Sequence, residues 1–206
     1  NQRRESLDSV IIEIIMNLSV IIPVYNEVNN IHEIIKRVQS PKLATEIVIV
    51  DDGSKDGTRD ALKAMDGKKK VRVILHEQNK GKGAAVVTGM KAATGEVLLI
   101  QDADLEYDPN ELRKLLLPLI NDEADVVLGS RYLTGDLHRV LYFWHTLGNR
   151  FLTFLSNMFT DLNLTDMETC YKVFKTEVIK SIEIEENRFG FEPEIVAKIS
   201  QRRLRI

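Results

Sequence analysis

One cysteine, Cys170, is all that this chain of 206 residues contains. An intrachain disulfide and a cysteine-rich zinc site are therefore excluded, and a reducing, cytoplasmic compartment fits. Long apolar runs are missing as well; no stretch approaches the roughly 20 residues of a membrane-spanning helix. Positive charge is not in excess. With 28 Lys and Arg against 31 Asp and Glu, the net charge of −3 argues against nucleic acid as a partner, since that calls for a basic face. The histidines form no metal set. His32 and His76 stand in contexts expected at the surface or at a cap, and His138 and His145 lack a third ligand. Neither G-x-G-x-x-G, nor a P-loop, nor Gly-x-Ser-x-Gly occurs, which argues against a dinucleotide-dependent dehydrogenase and a serine hydrolase.

What is present is an ordinary globular composition, 44% hydrophobic and 29% charged, at a length suited to one domain with a sizeable core. Residues 1–16 are expected to be an extension of undetermined role, an added edge strand or helix being the alternative. Residues 17–206 are expected to form a single domain. Glu194–Arg205 has helical character and runs into QRRLRI without a stop signal, so the fold is expected to continue past the last residue.

Short apolar runs alternate with helical patterns through the first 130 residues. Leu18–Pro23, Glu46–Asp51, Val71–Leu75, Val97–Gln101 and Asp125–Leu128 have the continuous Val/Ile/Leu character of strands buried on both faces. Val28–Gln39, Gly57–Met65, Gly81–Ala93 and Pro109–Ile120 carry helical periodicity between them, Asp56 standing ready to cap the second. Cys170–Phe174 is a further strand candidate. The rhythm predicts an α/β fold: a mainly parallel sheet with helices on both faces and ligands at the carboxyl ends of the strands.

The polar clusters fall at those ends. In VLLIQDADLEYDP, Asp102 and Asp104 flank Ala103 where a strand gives way to loop. Two carboxylates so close repel each other unless a cation lies between them, and Mg²⁺ favours one or two carboxylates plus phosphate oxygens. Asp51 and Asp52, in VIVDDGSKDGT, can accept from a nucleobase N–H, while Gly53 lets backbone approach a ligand; an Asx-type turn capping the next helix competes. NKGKGAA either steers a diphosphate at a helix start, with Lys80 and Lys82 near, or is a solvated basic turn. Arg131, in GSRY, suits phosphate oxygens or a structural ion pair with an aspartate.

Taken in order, SVIIPVYNE, EIVIVDDGSKDGT, NKGKGAAVVTGM, VLLIQDADLEYDP and DVVLGSRY resemble the inverting family 2 glycosyltransferases of the GT-A fold, over about residues 17–200. DADLEYDP and GSRY, followed by an aromatic helical segment, look most like the polyprenol-phosphate sugar synthases, such as those making dolichol-phosphate mannose and glucose. The resemblance implies a UDP- or GDP-sugar donor. Pro23, Tyr25 and Glu27 would shape its pocket, Asp51 would read the base, and Asp52, Lys82 and Asp102 would add donor contacts. Asp102 and Asp104 would hold Mg²⁺ or Mn²⁺, with Glu106 as a third ligand where relatives often carry glutamine. Asp104 and Arg131 are the residues it implicates in catalysis.

On the acceptor side, the resemblance implies a polyprenyl (dolichyl or undecaprenyl) phosphate. Arg131, Arg139, His145 and Asn149 would approach its phosphate, and the enzyme would sit peripherally at the cytoplasmic face of a membrane. In His138–Asn163 polar residues interleave with aromatics, which suits a helix at a bilayer surface or one packed on the sheet or on a second subunit. Two alternatives stand beside this reading. One is transfer to a glycan hydroxyl, with Glu168 as the base; the other is a non-catalytic nucleotide-sugar-binding domain.

Overall fold

The computed structural model describes residues 16–103, 112–132 and 142–206. Six strands are assigned: β1 (Leu18–Val24), β2 (Ala44–Asp51), β3 (Val71–Leu75), β4 (Val97–Ile100), β5 (Val126–Leu128) and β6 (Lys172–Lys175). They form one sheet in the order β3-β2-β1-β4-β6-β5, in which β6 runs antiparallel to both its neighbours. The helices are α1 (Ile31–Gln39), α2 (Thr58–Lys63), α3 (Lys82–Ala92), α4 (Leu112–Ile120), α5 (Phe143–Thr160), α6 (Thr176–Lys180) and α7 (Phe191–Ser200).

The unbroken apolar runs are explained by burial on both faces. Alternate residues of β1, β2 and β4 enter two separate cores. Val20, Ile22, Ile47, Ile49 and Leu99 pack beneath α1 and α4, while Ile21, Val48, Val50 and Leu98 pack beneath α3 and α7. This is the predicted layering, with helices on both faces of a mainly parallel sheet. Pro23 is tolerated in a central strand because the β1–β4 ladder ends at Ile21↔Ile100. Its missing N–H falls on the side where β4 has already turned away.

The first three helices begin later than periodicity predicts, and α7 begins earlier, at Phe191 rather than Glu194. α1 starts at Ile31 rather than Val28, because Asn30 and Ile31 first donate to the Glu27 carbonyl in a turn. Asp56 accepts from the Thr58 N–H at 3.0 Å, the expected service to α2, although Gly57 is the residue at the helix boundary. The strand expected at Cys170–Phe174 is observed as Lys172–Lys175.

From β1 the chain moves outward through β2 to β3, then returns to place β4 on the other side of β1. The reversal leaves a crevice between the carboxyl ends of β1 and β4, where open α/β sheets receive their ligands.

Candidate active site

Three strand ends converge there. Asp52 N–H donates to the Val24 carbonyl at 2.8 Å, Asn26 N–H to Ser54 Oγ at 2.8 Å, and Lys55 N–H to Asn26 Oδ1 at 2.9 Å. The YNE and DDGS turns are thus laced into one rim. Beside it opens a cleft of about 620 Å³, within the size range of small-molecule sites. Of the seven residues expected to bind a donor, Pro23, Tyr25, Glu27, Asp52, Lys82 and Asp102 line this cleft. Asp51 lies behind them, completely buried.

The two neighbouring aspartates have different surroundings. One Asp51 oxygen lies 3.2 Å from Arg59 Nε and accepts from the Ser54 N–H, whereas Oδ1 has no hydrogen-bond partner. Both Asp52 oxygens are engaged. Oδ1 accepts from Lys80 N–H at 2.9 Å and from His76 Nδ1 at 2.7 Å, and Oδ2 accepts from Gly81 N–H at 2.7 Å. Asp52 therefore borders the cleft chiefly as the anchor of the 79–81 turn.

This corrects two expectations. His76 is not a surface residue; it is buried between Asp52 and Thr88, whose Oγ1 lies 3.0 Å from Nε2. Gly53, at φ +79°, is expected to let backbone approach a ligand; instead it makes room for the 78–79 backbone, where a Cβ would stand 2.7 Å from the Asn79 nitrogen.

The start of α3 is similarly occupied. Gly81 N–H serves Asp52, and Ala84 N–H donates to the Asn187 carbonyl at 3.0 Å. The 186–188 segment lies so close that a Cβ on Gly83 would meet the Glu186 carbonyl at 2.2 Å. What this turn offers the cleft is the Lys82 ammonium, 2.9 Å from Asp102 Oδ2 and 2.6 Å from Glu192 Oε1. Burial alone would lower its pKa; the two carboxylates outweigh that and hold it above the ordinary lysine value. Cys170 Sγ also donates to Asp102 Oδ2. Deeper still, Lys172 donates to the Thr169 carbonyl, and burial lowers its pKa, with Glu192 and Cys170 pulling the other way.

Asp104, Glu106 and Arg139 lie outside the described residues. Among the described residues, no group of three or more His, Cys, Asp or Glu side chains gathers to hold an ion. Asp102 by itself still fits a hard cation, being a carboxylate at the cleft wall that already attracts an ammonium.

The expected acceptor set divides. Arg131 and Asn149 both bind the buried Asp166 carboxylate, Asn149 Nδ2 at 2.7 Å from Oδ1. His145 is exposed elsewhere on α5, with its ring centroid 6.1 Å from that of Tyr142. Neither Arg131 nor Asn149 is among the residues lining the cleft. Of the arrangements left open for α5, the structure shows the aromatic face outward and a polar stripe inward. Asn149 and Thr153 are buried, Asn157 pairs both ways with Leu164, and Phe143, Trp144, Phe151, Phe154 and Phe159 face outward. Arg150 lies over the Tyr132 ring, 5.7 Å from its centroid. Among the described residues, no helix is long and apolar enough to cross a membrane.

Three contributors escaped the sequence reading. Glu192 holds Lys82, and Arg188 and Phe189 form part of the cleft wall opposite the strand ends.

Residues 19–183 match the family model of glycosyl transferase family 2. A dolichol-phosphate mannosyltransferase of Pyrococcus furiosus is 40% identical over 122 residues, covering 58% of this chain and 34% of that protein. The chain therefore spans about a third of that relative's length. The UDP-N-acetylglucosamine–dolichyl-phosphate N-acetylglucosaminyltransferase of Methanococcus voltae is 31% identical over 176 residues, or 78% of this chain and 70% of the relative. Among solved structures, glucosyl-3-phosphoglycerate synthase of Mycobacterium tuberculosis, crystallised with Mn²⁺ and UDP-glucose, superposes with a TM-score of 0.74. It is 20% identical, and the match covers 96% of this chain and 68% of that one. Strand order, cleft and family match agree: this chain belongs to glycosyl transferase family 2 and has the GT-A fold.

Proposed function

We propose that this domain transfers a sugar, with inversion, from a UDP- or GDP-sugar to a polyprenyl phosphate, with Mg²⁺ or Mn²⁺, at the cytoplasmic face of a membrane. The observation that carries the reading is the gathering of Tyr25, Lys82 and Asp102 around one cleft at the strand reversal. The relatives' dolichyl-phosphate acceptors and the neighbour's UDP-glucose and Mn²⁺ give it support.

The roles follow from chemistry. The unpartnered Asp51 Oδ1 suits an N–H donor, which uracil and guanine both supply. Because Asp51 is buried behind the cleft wall, a base reaches it only if that wall shifts, and the contact would not choose between the two bases. Asp102, joined by Asp104 and Glu106, would hold the cation, which supplies Lewis-acid stabilisation of the departing diphosphate. Lys82 adds a second positive charge beside the same oxygens. Asp52 acts through the turn that carries Lys82. Asp166 fixes the orientation of the Arg131 guanidinium, the group assigned here to the acceptor phosphate.

A phosphate monoester is anionic near neutral pH and attacks the anomeric carbon without a general base. Alignment and charge neutralisation are then the enzyme's main tasks. Attack from the face opposite the leaving group gives a β-linked product from an α-linked donor. A hydroxyl acceptor would need a base, and Glu168, the candidate, is exposed and does not line the cleft. The outward aromatics of α5 suit the isoprenoid chain and bilayer surface, with the exposed His145 and Arg150 on the same helix.

The test is a panel of UDP- and GDP-sugars with Mg²⁺ or Mn²⁺ and a short polyprenyl phosphate, read by mass spectrometry. A lipid-phosphate sugar that disappears with EDTA and in Asp102→Asn is expected. Transfer to a soluble glycan in preference to the lipid phosphate would overturn the acceptor assignment.

A further inference from the structure

We propose that Lys82 is a built-in counter-ion for the Asp102 site, and that Glu192 is the resting partner to which it withdraws when a divalent cation binds. The inference rests on the metal-dependent reading above and extends it to a residue outside the strand-end motifs.

Lys82 stands at the first position of α3, where a cation is disfavoured by the helix dipole. Two carboxylates offset that placement, at 2.9 Å and 2.6 Å from Nζ, and all three side chains are largely buried. Glu192 belongs to the first turn of α7, where a negative charge is favoured, and its side chain is only 10% exposed. Its buried charge is matched by Lys82. The arrangement has one ammonium between two anions, and one of those anions is the expected metal ligand.

A divalent cation approaching Asp102 meets Lys82 on the same carboxylate, and the two positive charges repel. The ammonium does not need to enter solvent to make room, since a carboxylate already lies at hydrogen-bond distance on its other side. Pivoting onto Glu192 frees Asp102, keeps Lys82 neutralised, and leaves its charge facing the position of the donor diphosphate. Glu192 is thus a positioning residue. It acts on the metal site through Lys82 and touches neither metal nor substrate.

Opposite signs follow for two substitutions. Lys82→Gln removes the competitor and should tighten Mn²⁺ binding to the nucleotide-free protein by about tenfold or more, the scale on which a neighbouring charge alters a carboxylate's hold on a proton. Glu192→Gln leaves Lys82 no second partner and should weaken Mn²⁺ binding by about fivefold or more. In the Lys82→Gln background, Glu192→Gln should change Mn²⁺ affinity little.

The measurement is Mn²⁺ affinity by paramagnetic resonance of the free ion, without nucleotide and again with UDP or GDP. Melting temperatures confirm that each variant is folded. Unchanged or weaker Mn²⁺ binding in Lys82→Gln overturns the inference, as does an undiminished Glu192 effect in the double variant. If wild type binds Mn²⁺ only with nucleotide while Lys82→Gln binds it alone, the counter-ion is shown directly. Absence of Mn²⁺ binding in every variant under both conditions would sink the metal-dependent function itself. Binding in wild type with nucleotide, but no gain in Lys82→Gln, would sink the counter-ion alone.

Discussion

Asp166 grips Arg131 at three points. Its Oδ2 accepts from the arginine backbone N–H at 3.1 Å and from Nε at 2.8 Å, and its Oδ1 accepts from Nη2 at 2.9 Å. The Asp166 side chain has no exposed surface, so its charge depends on that arginine and on Asn149. Removing one partner of a buried pair typically costs about 3–5 kcal/mol because the other charge is left stranded. Arg131→Ala is therefore expected to lower the melting temperature by roughly 10 °C, and Asp166→Asn in the same chain should recover part of the loss. Thermal denaturation followed by circular dichroism checks both. A melting temperature within about 2 °C of wild type would make Arg131 a ligand group with no part in the framework.

The same pair sets a pH dependence. Burial pushes the Asp166 pKa up, but the Arg131 and Asn149 hydrogen bonds outweigh it and hold it below the ordinary aspartate value. A depressed folded pKa gives stability that is complete above the unfolded value of about 3.9 and is lost as pH falls through the folded one. The stability gap between wild type and Asp166→Asn should hold steady from pH 7 to about pH 5 and close below pH 4. Melting temperatures from pH 3 to 7 measure it; a gap that widens on acidification would reverse the sign.

Two helical glycines should respond in opposite directions to alanine. Gly→Ala inside a helix ordinarily stabilises by up to about 1 kcal/mol. At Gly148, where an added Cβ meets nothing within 4 Å, that gain should appear. At Gly83 the Cβ would stand 2.2 Å from the Glu186 carbonyl, so Gly83→Ala should instead destabilise by about 1–3 kcal/mol. Urea denaturation of the two variants beside wild type decides, and a stabilising Gly83→Ala would mean that the 186–188 segment does not press on α3.

The outward aromatics of α5 should matter to membranes rather than to folding. Phe151 and Phe159 are 60% and 80% exposed, so replacing both with Ser removes little core packing. Co-sedimentation with vesicles containing anionic lipid should fall by about tenfold or more while the melting temperature stays within about 2 °C. Undiminished vesicle binding would assign this face to another partner.

The half of the fold built from β1 to β4 was legible because burial on both faces writes itself as unbroken Val/Ile/Leu runs, and each run ended in the polar residues that now line the cleft. Other features left no such trace. No local pattern distinguishes an antiparallel β6 from a parallel one, since direction is decided by the path of the intervening chain. His76 follows its strand in a neutral context, and Asp52 and Thr88, both distant in sequence, bury it. In α5 the periodicity marked two faces correctly without saying which was inward; Asn149 and Thr153 won the interior because Asp166 and the Met167 N–H waited there for partners. Glu192 meets Lys82 across more than a hundred residues, a distance at which spacing carries no information.

The position of β6 also makes the order of assembly differ from the order of synthesis. β5 pairs with β6 and, among the described residues, with no other strand, and β6 closes the open edge of β4. A nascent chain that has emerged only as far as α5 holds β3, β2, β1 and β4 with the β4 edge bare as well as that of β3, and a β5 with no strand partner among the described residues. Such edges are where chains aggregate or wait for a chaperone. Cys170 reaches Asp102 just ahead of the same late strand, and Arg188 and Phe189 complete the cleft wall only after it.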